Sequence, residues 1–143
     1  MRIVHFFIVG LGLTAAACSG NSVETEEQNY DQLPVDSEFS EGKEVYDISC
    51  VNCHMKDGKG LENTFPPLAG SDYLLADPIR ALKQVKYGSS EKMTVNGIEY
   101  EGIMPPQELN DQQIVDVVNY CLNAWGNNGG KVSMDDMNNL ENK

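Results

Sequence analysis

Two thiols and an imidazole, in the run Cys50-Val51-Asn52-Cys53-His54, form the densest group of reactive side chains in the sequence. Cysteines three positions apart with a histidine directly after the second make the C-x-x-C-H pattern of c-type haem attachment, in which both sulfurs bond to the porphyrin and the histidine ligates iron. Residues at i and i+3 of a helical turn share a face, so both thiols can meet the vinyl edges of one ring. His54 then projects toward the metal. The rival readings of C-x-x-C are weaker. A zinc site needs four ligands, and the other cysteines and histidine are the scattered Cys18, Cys121 and His5. A thioredoxin-like pair should open a helix after a strand, whereas Ser40 to Tyr46 reads as helix.

A ring held this way needs elements around it. The first helix is expected from Ser40 into Cys50, with Gly42 and Tyr46 on one face, where the missing side chain of Gly42 permits close approach of another helix. A last helix is expected over 110–126: Asn110 with Gln113 gives a capping-box start, Gly126 a stop, and Ile114, Val117, Val118 and Cys121 an apolar stripe. Between them Asp77-Pro78 and Tyr87-Gly88 bound a helix from Pro78 to Tyr87. Thr94-Val95-Asn96-Gly97-Ile98-Glu99-Tyr100 carries the Asn-Gly signal of a two-stranded hairpin.

If His54 takes one axial position on iron, a second ligand is wanted from beyond the ring. Met55 adjoins His54 and cannot reach the opposite face. Met93 is possible, and Met104 is preferred because Pro105 and Pro106 hold its loop extended ahead of the last helix. Met134 and Met137 lie in a polar stretch with nothing to position them.

The chain has 143 residues and a formal net charge of −12. Residues 1–17 carry one cation, Arg2, an apolar run from Ile3 to Leu13, and Thr14-Ala15-Ala16-Ala17 before Cys18, the pattern of an export signal. Its removal takes away Arg2 alone and leaves a more acidic chain, a poor candidate for nucleic-acid binding and one suited to partners with basic docking patches. The small residues ahead of Cys18 resemble a bacterial lipobox, although Ala15 stands where leucine is usual. The expectation is a lipid attached at Cys18, with ordinary cleavage and a soluble periplasmic protein as the alternative. Residues 18–39 are polar and acidic and read as a flexible linker. The compact domain is expected over 40–126, and 127–143 reads as a solvated, disordered tail.

Over 40–126 the chain resembles the class I c-type cytochromes. The residues that carry the resemblance are Gly42 with Tyr46, Cys50 to His54, Asp57-Gly58-Lys59-Gly60, Phe65-Pro66-Pro67-Leu68-Ala69-Gly70, Gly102-Ile103-Met104-Pro105 and Val117 to Trp125. The resemblance implies an all-α fold of three to four helices around one covalent haem c, with a short hairpin before the methionine loop. It implies that the first and last helices cross at Gly42, Tyr46, Val117 and Tyr120, that the Pro66 carbonyl accepts from the His54 ring, and that Leu68 packs on the haem. Met55 and Lys56 depart from the family, where glycine and a small or polar residue are commoner. Cys121 stands where an aliphatic residue is usual and reads as a buried free thiol.

With His54 and Met104 on iron no coordination position stays open, which disfavours catalysis, and the thioether raises the potential. The expected role is a non-enzymatic electron carrier between exported respiratory partners. The alternatives are a haem subunit of one oxidase, reductase or dehydrogenase, and a peroxidase or gas sensor with a displaceable methionine.

Overall fold

The computed structural model describes residues 38–140. The export signal, Cys18 and all but the last two residues of the linker lie outside them. Six helices and one hairpin follow in order: α1 (Ser40–Ser49), α2 (Val51–His54), α3 (Asp72–Ala76), α4 (Pro78–Tyr87), β1 (Met93–Val95), β2 (Ile98–Tyr100), α5 (Asp111–Asn123) and α6 (Met134–Asn139). The count exceeds the three to four expected because α2, α3 and α6 are each too short to show an apolar period. None of the helices of the described residues is long and apolar enough to cross a membrane.

Local chemistry sets the helix boundaries. Asn110 and Gln113 form the reciprocal capping box at the start of α5, with Asn110 Oδ1 accepting from Gln113 N at 2.9 Å and Gln113 Oε1 accepting from Asn110 N at 3.0 Å. Asp77 caps α4 through Arg80 N at 3.0 Å, and Pro78 occupies its first turn, where no amide hydrogen is needed. In the hairpin, Met93 pairs with Tyr100 and Val95 with Ile98, and Asn96 and Gly97 both have positive φ, as a two-residue primed turn requires. Asp72 and Asn96 exchange backbone-to-side-chain bonds of 3.0 and 2.7 Å, which tie this turn to the start of α3.

The core lies where α1 crosses α5. A Cβ on Gly42 would stand 2.1 Å from the Asp116 carbonyl oxygen and 2.8 Å from Tyr120 Cβ, so the two helices touch through the absent side chain. Beside that contact Tyr46, Tyr120 and Trp125 form a three-ring cluster with centroids 5.1 to 5.3 Å apart. Edge and tilted ring pairs of this kind contribute about 0.5–1.5 kcal/mol each beyond their buried area. Val117, on the facing surface of α5, is buried in the same core.

Residues 127–140 are folded, against the expectation of a solvated tail. Val132, Met137 and Leu140 are buried in the main core, Met137 completely. These three apolar side chains are spread over the nine residues 132–140, five of them Ser, Asp or Asn, too sparse a pattern to announce a helix. Ser133 and Asp136 cap α6 reciprocally, and Lys131 pairs with Glu38 at the start of the described chain.

Candidate haem site

The single turn of α2 continues from α1 and carries the C-x-x-C-H run. Cys50 is half-buried, Cys53 exposed, and both line a cavity of about 330 Å³ together with His54. The remainder of the wall is mostly apolar, with Leu68, Leu74, Val85, Val95, Val117 and Val118 among its residues. Burial, and secondarily the neighbouring Cys53, pushes the Cys50 thiol up to about 11, so it is un-ionised at neutral pH. His54 Nδ1 lies 3.0 Å from the Pro66 carbonyl oxygen. A carbonyl only accepts, so Nδ1 carries the proton and Nε2 keeps its lone pair for a metal. Burial lowers the imidazole's pKa, opposed by the hydrogen bond to Pro66, and the neutral ring is the ligating form.

The loop after His54 is held by the core. Met55 has φ +62, a left-handed backbone that favours glycine, as the family departure at this position implied. Its carbonyl accepts from the Tyr46 hydroxyl at 2.6 Å, and Trp125 Nε1 donates to the Lys56 carbonyl at 3.0 Å. Gly58, at φ +66, lies so close beneath the Trp125 ring that a Cβ would come within 2.7 Å of it. The Gly58 carbonyl in turn accepts from Leu68 N at 2.7 Å and Ala69 N at 2.9 Å. The ring cluster thus fixes the loop, the loop fixes residues 66–69, and those residues face His54.

Met104 lines the same cavity and is pinned by two backbone bonds of 2.8 Å to Ser89, one in each direction. Gly88 makes room for this pairing: a Cβ there would stand 2.7 Å from the Met104 carbonyl oxygen. Prolines alone therefore do not hold the loop, and the bridge to Ser89 had no signal in the sequence. Met93 also lines the cavity. Met134 and Met137 do not, and Met137 belongs to the core instead.

A model of the cytochrome c family matches residues 39–125. The chain belongs to the cytochrome c family. It is 33% identical over 92 residues to cytochrome c-552 of Thermus thermophilus, an alignment that covers 61% of this chain and 70% of that protein. It is 35% identical over 114 residues to the cytochrome c subunit of a quinone alcohol dehydrogenase from Gluconobacter oxydans, covering 69% of this chain and 21% of that one. The cytochrome subunit of fructose dehydrogenase from Gluconobacter japonicus is 30% identical over 105 residues, with 67% and 21% covered. The chain thus spans about a fifth of the length of these dehydrogenase subunits.

A cytochrome c domain of this size carries one covalently bound c-type haem and works by electron transfer. The cavity suits that group: a mostly apolar wall with two thiols and a histidine whose Nδ1 is taken up by the Pro66 carbonyl. Arg80, Tyr73 and Gln84 are among the lining residues that the sequence did not single out. Arg80 is the one Lys or Arg side chain in the lining; its guanidinium lies 3.6 Å from the Tyr73 ring centroid and donates to the Tyr73 carbonyl. Tyr73 and Gln84 line the wall beside it, with Gln84 Nε2 donating to the Tyr73 hydroxyl at 3.2 Å. A cation and two polar groups at one edge of an apolar cavity suit the carboxylates of a porphyrin, and only the α4 periodicity, which sets Arg80 and Gln84 four apart, hinted at them. Cys121 also lines the cavity as a free thiol held protonated by burial.

Proposed function

We propose that Cys50 and Cys53 hold the haem through thioethers, that His54 and Met104 ligate its iron, and that the protein shuttles single electrons between exported redox partners. The observation that carries this reading is the His54–Pro66 hydrogen bond on the wall of the cavity that the two thiols and Met104 also line. Cys50 and Cys53 would hold the group covalently, each thiol adding its S–H across a vinyl double bond so that neither oxidant nor leaving group would be needed. Pro66 orients the imidazole through its carbonyl, and Leu68 packs against the ring. When bound, the haem would supply a one-electron couple, and with His54 and Met104 both on iron no position would stay open for a reactant.

Electrons would cross at the exposed edge of the site. Cys53 is solvent-accessible, Ile103, which lines the cavity, is 77% exposed, and Ile48, next in chain to the lining residue Ser49, is 78% exposed. Over residues 38–140 there are 16 Asp and Glu against 8 Lys and Arg. An apolar patch within an acidic surface suits a partner that presents apolar residues ringed by cations. The leader reads as an export signal, with Cys18 as a lipid anchor and residues 19–39 as its leash.

A second reading is favoured by the relatives named as dehydrogenase cytochrome subunits: a dedicated carrier for one such complex. Stoichiometric copurification with a dehydrogenase from the native membrane would select it.

The ligand assignment is tested by Met104→Ala, with Met93→Ala beside it. Met104→Ala should abolish the weak sulfur-to-iron band at the red end of the ferric spectrum. It should also lower the midpoint potential by a sizeable part of the roughly 0.8 V that axial ligation spans. Met93→Ala should leave both in place. An unchanged Met104→Ala spectrum sinks the assignment.

A further inference from the structure

Asn119 and Asn123 stand one turn apart on α5, and Asn127 follows just past the helix end. All three spend their amides on backbone. Asn119 exchanges bonds with Val132, accepting from its N at 2.8 Å and donating to its carbonyl at 3.0 Å. Asn123 Nδ2 donates to the carbonyls of Asn119 and Gly130, each at 2.9 Å. These two tie the C-terminal segment to α5. Asn127 does something different.

The chain turns sharply after α5 through Trp125 and Gly126, at φ +54 and +83, and brings the Asn127 side chain back toward the haem cavity. Its Nδ2 donates to the Cys121 carbonyl at 2.7 Å and to the Leu68 carbonyl at 3.0 Å, and its Oδ1 accepts from Gly70 N at 2.8 Å. Two acceptors and one donor in these places fix which end of the amide is nitrogen. One side chain therefore bolts residues 68–70 to the last turn of α5. Leu68 and Cys121 both line the cavity, and Leu68 lies two residues after Pro66, whose carbonyl holds the His54 ring. Asn127 falls outside the span that the family model matches, 39–125.

From this geometry we infer that Asn127 is a positioning residue for the haem: by clamping residues 68–70 to α5 it sets the Pro66–His54 hydrogen bond and so tunes the iron's potential. The inference rests on the proposal that His54 ligates iron. A carbonyl that accepts firmly from Nδ1–H makes the imidazole a better electron donor and favours ferric iron. Releasing the clamp lets the segment drift, weakens that bond and favours ferrous iron.

The test uses the haem-loaded protein with Asn127→Ala and the isosteric Asn127→Leu, each of which deletes all three bonds without adding charge. Three readouts are needed: the midpoint potential, the proton resonance of the His54 ring N–H in the ferrous state, and exchange of the Gly70 amide. The expected result is faster Gly70 exchange, a displaced ring N–H resonance, and a rise of about tenfold in the one-electron reduction constant, or about 59 mV. Asn123→Ala, which loosens only the C-terminal segment, should leave potential and ring resonance at their parent values. If both Asn127 variants fold and exchange Gly70 faster yet keep the parent potential and resonance, Asn127 merely anchors the tail and the inference is overturned. If Asn127→Leu does not fold, the result with Asn127→Ala decides. His54→Ala checks the underlying ligation separately: a parent-like low-spin spectrum in that variant would remove both the ligand assignment and the inference, whatever the Asn127 variants show.

Discussion

Replacing Gly42 by alanine adds one methyl group at the closest point of the α1–α5 crossing. The new Cβ would stand 2.1 Å from the Asp116 carbonyl oxygen, 2.7 Å from its carbon and 2.8 Å from Tyr120 Cβ. Ordinary contact begins near 3.4 Å, so the helices must part by about 1.3 Å. None of the three atoms is the free end of a flexible side chain, and the shift falls on the helices themselves. Forced overpacking costs about 1–3 kcal/mol. A gap of about 1 Å also forfeits up to half of each neighbouring contact, and the Tyr46–Tyr120 and Tyr46–Trp125 pairs span the seam. Half of two pairs worth about 0.5–1.5 kcal/mol each adds roughly 1 kcal/mol. Helix propensity works in the other direction, since alanine is better than glycine within a helix by about 1 kcal/mol. The balance is a loss of about 1–3 kcal/mol, or a fall in Tm of about 4–24 °C for a domain of this size. Urea and thermal unfolding of the haem-loaded protein, followed by far-ultraviolet circular dichroism, would measure it. Equal or greater stability in Gly42→Ala would mean that propensity alone decides the site, and the reasoning from a tight crossing would fail.

Tyr46→Phe removes the hydroxyl that holds the Met55 carbonyl at 2.6 Å and leaves that strained residue without one of its partners. The cost should be about 1–3 kcal/mol of stability, with faster exchange of the Gly58 amide, which donates to the same carbonyl; unchanged exchange would show that the hydroxyl is dispensable. Asp136, whose carboxyl is held below its ordinary pKa by the Ser133 hydroxyl and amide, should support α6 only while ionised. Because its folded pKa is depressed, that support is full above about pH 4 and disappears as pH falls through the folded value. Amide exchange around Met137 should therefore quicken below pH 4, and Asp136→Asn should remove that part of the pH dependence; an identical acid response in the variant would defeat this account.

Residues whose backbone geometry is forced by their own chemistry were legible from the sequence. Asp77-Pro78, Asn110 with Gln113 and Asn96-Gly97 each encode a cap or turn within four residues, and α4, α5 and the hairpin begin or reverse there. Gly42 could be read because a glycine on an otherwise helical face implies close approach. The illegible parts depend on pairs far apart in the chain. Nothing in Ser89 announces that it will bridge Met104, and nothing in Arg80 that it will be the lone Lys or Arg cation of the cavity lining.

The C-terminal segment shows why composition misled. A run rich in Asn, Asp and Gly cannot build a core of its own, which is the reason such runs read as disordered. Here it does not have to: Val132, Met137 and Leu140 enter a core that α5 already organises, and α5 supplies the polar partners through Asn119 and Asn123. The useful signal was the spacing. Asn119 and Asn123 are one turn apart on α5, Asn127 follows the turn at its end, and all three amides bond to backbone. In this cytochrome the two helical asparagines hold the C-terminal segment, and Asn127 holds Leu68, which lines the cavity, and Gly70 beside it. The segment that composition assigns to solvent thereby connects through Asn127 to Leu68, two residues from the Pro66 carbonyl that bonds His54.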